Sequence, residues 1–264
     1  MLACSGTGLI SMAMQGFFAG DRWLRLMVVL LMGVSATVAC ASFKREVLWE
    51  AVRICALTSV HYGAAFPCEE VILPQDGEFG WTLIKSPLQR TEFLLTPISA
   101  VTGLESPLAR STAGAQLWSE AWEARWKVEA KLGHSLPRSA IGLAVNSRTE
   151  RSQDQMHIHV DCLSKSVERT LALGGPKTAA PWQPSPIMLK GRPYWIMAVD
   201  KPDLRTTNVV GLVVSGLPHA LRAIEDLNVI VVGATLADAK PGFYILANLG
   251  QAGERLLDHK CTSR

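Results

Sequence analysis

From residue 155 to residue 162 the chain runs Gln-Met-His-Ile-His-Val-Asp-Cys, and this alternation leaves little freedom of backbone. Met156, Ile158 and Val160 are apolar, whereas Gln155, His157 and His159 are polar. A period of two belongs to a strand with one face in the core and one face open. Residues two apart on a strand lie roughly 6.5–7 Å apart on the same side. Two imidazoles and one amide therefore project from one face of a rigid element, which holds reacting groups better than a loop does. Three readings compete. The plainest is a pair of satisfied histidines on a polar face. The second is a metal site, since His-x-His on a strand is a usual zinc ligand pair, with His61, His134, His219 or His259 as a third ligand. The third is nucleophilic attack by one imidazole on a phosphate. Spacing does not separate the last two.

The composition is that of a folded protein. The 264 residues are 48% hydrophobic and 19% charged, enough for a sizeable core. A formal net charge of +3, with no Lys/Arg run interleaved with aromatics, argues against nucleic acid as a partner.

The front of the chain reads as an address. Arg22 and Arg25 precede an uncharged apolar run from Leu26 to Ala41. Its length is at the margin of the roughly 17–25 residues that a helical span uses. Ala39-Cys40-Ala41 offers a small-x-small cleavage site before Ser42. We expect residues 1–41 to be a signal or membrane anchor and residues 42–264 to be the functional domain. A basic flank held inside puts 42–264 outside the cytoplasm, against the opposing pull of Lys44 and Arg45. Four cysteines remain beyond this segment: Cys55, Cys68, Cys162 and Cys261. An even set in an exported chain reads as two disulfides, with three pairings open. The preferred one joins Cys55 to Cys68, neighbours in sequence, and Cys162 to Cys261, which pins the C-terminus beside the histidine strand.

In chain order we expect a helix over 44–57, a turn at 67–70, and strands over 79–85 and 92–98. A helix over 116–132 follows, with Trp118, Trp122 and Trp126 recurring every four residues as a core stripe over the histidine strand, and Gly133 ending it. A strand over 139–146 leads through the polar connection 147–154 to the histidine strand. Arg148 and Arg151 in that connection are candidates to meet phosphates. Beyond Cys162 come a helix over 164–173, strands over 194–199 and 209–214, a helix over 217–227, and strands over 228–233 and 242–248. The fold class is α+β, an antiparallel sheet with covering helices. Its back half repeats the order of the front, suggesting halves 42–175 and 180–264.

These residues resemble a known family. Thr102-Gly103-Leu104-Glu105-Ser106-Pro107-Leu108, Ala144-Val145-Asn146-Ser147-Arg148-Thr149, His157-Ile158-His159 with Cys162, and Asp258-His259-Lys260-Cys261 look like the bacterial CDP-diacylglycerol pyrophosphatases. That branch resembles the histidine triad superfamily, and the similarity runs in order from residue 46 to residue 262. It implies cleavage of CDP-diacylglycerol to CMP and phosphatidate at a bacterial inner membrane, with a single-pass anchor and a periplasmic catalytic domain. It implies no cofactor. His157 aligns with the histidine that attacks the α-phosphorus. His159 aligns with the one that contacts phosphate oxygens and helps the leaving oxygen depart. Gln155 stands where the superfamily has a first histidine that orients the other two, and the alternative expectation is an inactive nucleotide- or lipid-binding module that lost turnover through this replacement. Asn146 and Ser152 fall near positions that hold nucleophile and phosphate.

Overall fold

A computed structural model describes residues 45–75, 79–217 and 224–262. The expected anchor over 1–41 and His219 lie outside the described residues. Nine strands form one sheet: β1 (Glu70–Ile72), β2 (Trp81–Lys85), β3 (Phe93–Pro97), β4 (Ile141–Val145), β5 (Ile158–Cys162), β6 (Ile187–Leu189), β7 (Arg192–Val199), β8 (Leu227–Thr235) and β9 (Pro241–Leu249). Their order is β1-β2-β3-β5-β4-β8-β9-β7-β6, and every neighbouring pair is antiparallel. The class is α+β. Read outward from the central β4–β8 pair, the order β4-β5-β3-β2 on one side matches β8-β9-β7-β6 on the other.

The helices are α1 (residues 45–62), α2 (Pro107–Arg110), α3 (Thr112–Glu123), α4 (Arg125–Leu132), α5 (Lys165–Gly174) and α6 (Val209–Gly216). One sheet face carries Phe93, Leu95, Leu143, Val145, Ile158 and Val160 beneath α3, α4 and α6. The other carries Ala144, Ile196, Ile230 and Leu246 beneath α5 and the segment ending in Leu256 and Leu257. Burying each large aliphatic side chain contributes roughly 1.5–3 kcal/mol relative to exposure.

Three expectations are corrected here. The single helix over 116–132 is two helices. The chain turns at Ala124, whose N–H still bonds the Glu120 carbonyl. The Arg125 guanidinium reaches back to the Trp122 carbonyl at 2.7 Å and covers the Trp122 ring. Trp118 and Trp122 are core, but the turn swings Trp126 outward to 52% exposure under the Lys127 ammonium. Secondly, 209–214 is not a strand. Valine-rich sequence favours strands, but the Asn208 side chain accepts the Gly211 N–H at 2.8 Å and starts a helix. Val209, Val210 and Val213 then bury against the α3 side of the sheet. Thirdly, the helix expected over 217–227 falls in part on 218–223, outside the described residues. Its end is a single 3-10 turn, Ile224–Asp226, and Leu227 already belongs to β8.

Both preferred disulfides are present, Cys55–Cys68 with Cα atoms 5.7 Å apart and Cys162–Cys261 at 5.5 Å.

Candidate active site

Strand register gathers the polar side chains. His159 lies opposite Leu94 of β3 and Ala144 of β4. Positions two along from these share its face: Glu92 before Leu94, Asn146 beyond Ala144, Asp161 on β5 itself and His157 just ahead of β5. The face is not open, contrary to the alternation's promise. Gln155, His157, His159 and Asp161 are all buried: the C-terminal segment lies against His159 and Asp161, and the loop after β3 lies against Gln155. Leu257 bridges to Leu163, the Asp258 N–H bonds the Cys162 carbonyl at 2.8 Å, and Cys261 is joined to Cys162.

The expected strand from Gln155 begins only at Ile158, and His157 is fixed by the chain segment just before it. Its Nδ1 lies 2.8 Å from the Gln155 carbonyl oxygen. A carbonyl only accepts, so Nδ1 carries the proton and Nε2 keeps its lone pair. Burial, and then the neighbouring His159 with ring centroids 4.8 Å apart, push the His157 pKa down to about 3. The ring is neutral at physiological pH.

His159 is held between carboxylates. Nδ1 meets Glu92 Oε1 at 2.8 Å and Nε2 meets Glu254 Oε2 at 3.1 Å. A carboxylate accepts, so the Nδ1–H is donated to Glu92. Asn146 links the same groups: its Oδ1 accepts the Glu254 N–H at 3.2 Å, and its Nδ2 lies 3.4 Å from His159 Nε2. Behind them His259 Nδ1 sits 3.2 Å from Glu92 Oε1 and 3.1 Å from Asp161 Oδ2. Burial works against the charge on Glu92, but the His159 hydrogen bond and the charges of His159 and His259 outweigh it and lower its pKa to about 2. Burial raises Asp161 in spite of hydrogen bonds from His259 and Thr91. Burial opposes the charge on His259, yet the bond to Asp161 and the nearby carboxylates bring its pKa above the ordinary histidine value.

The other sequence candidates divide. Asn146 is in the site. The Gln155 amide touches neither imidazole: its Nε2 donates to the carbonyls of Pro97 (2.8 Å) and Ser99 (2.9 Å), and its Oε1 faces the Val101 N–H at 3.3 Å. It orders the loop after β3, and only its backbone carbonyl orients His157. Arg151 is buried with its guanidinium paired to Glu105 at 2.8 and 3.2 Å. Gly103 makes that pairing fit, since a Cβ there would collide with both side chains. Arg148 and Ser152 are exposed, and the Arg148 N–H bonds the Glu225 carbonyl; neither joins the histidines. His61 and His134 are exposed elsewhere. Of the proposed third ligands among the described residues, His61, His134 and His259, only His259 reaches the site, together with Glu92, Glu254 and Asp161, which the sequence did not single out. Glu92, Glu254 and His259 present ligand atoms within 4.8 Å of one another.

His157, Asn146, Arg151 and Gly103 line a recess of about 10 Å³. A larger cavity of about 330 Å³, between β1, β2 and α3, is lined by Glu70, Trp81, Leu117 and Glu120 and holds no histidine.

The sequence profile of CDP-diacylglycerol pyrophosphatase matches residues 43–264. A CDP-diacylglycerol pyrophosphatase of Mycobacterium tuberculosis is 32% identical over 224 residues, 83% of each chain. One of Yersinia pestis is 29% identical over 202 residues, covering 74% of this chain and 75% of that one. Among solved structures, yeast Ap4A phosphorylase Apa2 in complex with Ap4A superposes with a TM-score of 0.43 and 16% identity over 72% of this chain and 65% of its own. The profile match spans the histidine pair and the C-terminal segment that covers it, and this chain belongs to the CDP-diacylglycerol pyrophosphatase family.

Proposed function

We propose that this protein hydrolyses the pyrophosphate of CDP-diacylglycerol, giving CMP and phosphatidate, through a cytidylyl-histidine formed on His157. The observation that carries the reading is the commitment of His157 Nδ1 to the Gln155 carbonyl, which leaves the Nε2 lone pair unprotonated at neutral pH on a side chain that lines a recess. In the first step the Nε2 lone pair forms a bond to the α-phosphorus. The bond from phosphorus to the bridging oxygen breaks, and phosphatidate leaves with the electron pair, taking a proton from His159 Nε2. In the second step water attacks the phosphorus and its proton goes to His159. The N–P bond breaks, its electron pair returns to His157, and CMP is released. Covalent catalysis splits one hard displacement into two easier ones. In this reading the protein works as a histidine-triad-like enzyme, with Gln155 in the first position serving a loop rather than the imidazoles.

The same reading places the protein at a membrane, catalytic domain on the periplasmic side. Supporting it is a run of exposed apolar side chains on α1 and the turn after it: Ile54, Leu57, Val60, Tyr62 and Phe66. α1 is tied to the site through the Leu48 N–H, which the Gln153 side chain accepts at 2.9 Å. The test is CMP release from CDP-diacylglycerol in mixed micelles. The wild type should turn over and His157→Ala should not; equal rates in the two would overturn the mechanism.

A further inference from the structure

Behind the histidine that faces the leaving oxygen stands a second layer of titratable groups drawn from three distant parts of the chain. Glu92 comes from the start of β3, Asp161 from β5, and His259 from the C-terminal segment. They share hydrogen-bonding atoms. Glu92 Oε1 accepts from His159 Nδ1 at 2.8 Å and faces His259 Nδ1 at 3.2 Å, and that same nitrogen reaches Asp161 Oδ2 at 3.1 Å. His259 is held by its backbone as well as by its ring. Its carbonyl accepts the N–H groups of Arg90 and Thr91, Asp258 is bonded to the Cys162 carbonyl, and Cys261 is covalently held to Cys162. A histidine bound this tightly, with its imidazole turned inward onto two carboxylates, is more than tail packing requires.

We infer that Glu92, His259 and Asp161 are positioning residues that act through His159, holding its Nδ1–H on a fixed carboxylate so that the proton passed to and from the leaving oxygen always resides on Nε2. The inference rests on the cytidylyl-histidine reading. A buried carboxylate behind an imidazole fixes its tautomer and stabilises the cation that proton transfer passes through, as in the serine hydrolase triad. Here that carboxylate is itself held by a second imidazole and a second carboxylate. His259 neutralises charge between Glu92 and Asp161, which would otherwise repel each other in a buried place. Glu92 Oε1 then stays aimed at His159.

The test uses the full-length protein and the variants Glu92→Gln and His259→Asn, both close in shape to the native side chains. Each is assayed on CDP-diacylglycerol and on a series of cytidine 5′-aryl phosphates from dinitrophenyl to unsubstituted phenyl. Aryl esters with acidic phenols leave without a proton; the poorer ones need it. Glu92→Gln should lose about 10²- to 10⁴-fold in kcat on the phenyl ester, the range general acid–base catalysis supplies, and should approach wild type on the dinitrophenyl ester. His259→Asn should show a smaller loss with the same trend. The dependence of log kcat/KM on leaving-group acidity therefore steepens in both variants. A variant that merely folds less well lowers every substrate by one factor and keeps the wild-type slope. That parallel result would overturn the positioning role while leaving the hydrolytic reading intact. A wild type inert toward both CDP-diacylglycerol and the aryl esters would overturn the two together.

Discussion

In the proposed mechanism one hydrogen bond at His157 decides which nitrogen reacts: Nδ1–H is spent on the Gln155 carbonyl, which assigns the attack to Nε2. Burial lowers its pKa from 6.5 to about 3, which has a consequence for stability. Between those values the unfolded chain binds a proton that the folded chain refuses, so stability rises with pH across this window. Glu92, lowered to about 2, pulls in the same direction at the acid end. We expect the unfolding temperature to fall as pH drops from 6.5 to 4, and to fall less in His157→Gln; pH-resolved calorimetry measures this, and identical profiles in the two proteins would contradict it. Glu254 is the anion at His159 Nε2, where a phosphate oxygen of the substrate must compete. Glu254→Gln should lower KM about three- to tenfold, the effect of roughly 1 kcal/mol of relieved repulsion near the surface; an unchanged or higher KM would show that Glu254 does not stand in the substrate's way. The sequence made His157 and His159 conspicuous because alternation and spacing are local. Glu92 and Glu254 were invisible in it. Nothing near residue 92 or 254 refers to residue 159; strand register and the covering tail bring them together.

Among elements, the strand carrying His159 was legible from its period of two, although it begins at Ile158 and leaves Gln155 and His157 ahead of it, and so was the sheet around it. The unread parts have physical reasons. Alternation promises one wet face, but β5 is central, and a segment about a hundred positions downstream covers it, held by Cys162–Cys261 across a sequence separation of 99. The Val209–Val214 run reads as a strand because β-branched residues favour one, until the Asn208 cap and burial decide otherwise. The Cys162–Cys261 bond closes a loop for which the chain-entropy treatment gives about 4–5 kcal/mol. Cys261→Ser should therefore lower the melting temperature, with a smaller loss of kcat as His259 loosens; unchanged melting would contradict this. Gln155 carries an element-level prediction too. A histidine there cannot make both carbonyl contacts and the Val101 contact, and each buried group left unpaired costs about 1–3 kcal/mol. Gln155→His, although it restores the residue its superfamily favours, should melt lower and turn over more slowly than wild type. A variant as stable as wild type would show that the loop after β3 does not depend on the amide.

For the whole molecule, a lipid substrate and an apolar, exposed α1 belong together. Among the described residues no helix is long and apolar enough to cross a membrane. The proposed attachment therefore rests on the segment before residue 42 and on this helix. Full-length protein should float with anionic phospholipid vesicles, and Leu57→Glu with Phe66→Ser should weaken flotation while leaving hydrolysis of a soluble aryl cytidylate unchanged. The covalent route asks for no transition metal, so exhaustive chelation should leave most of the turnover. The most direct measurement is a rapid acid-free quench of wild-type protein turning over CDP-diacylglycerol labelled in the cytidine, followed by peptide mapping in base, where a phosphoramidate survives. The account predicts label on the peptide containing His157, formed before steady-state release of CMP and absent in His157→Ala. Full turnover with no label retained on the protein, or with label on another residue, would contradict it.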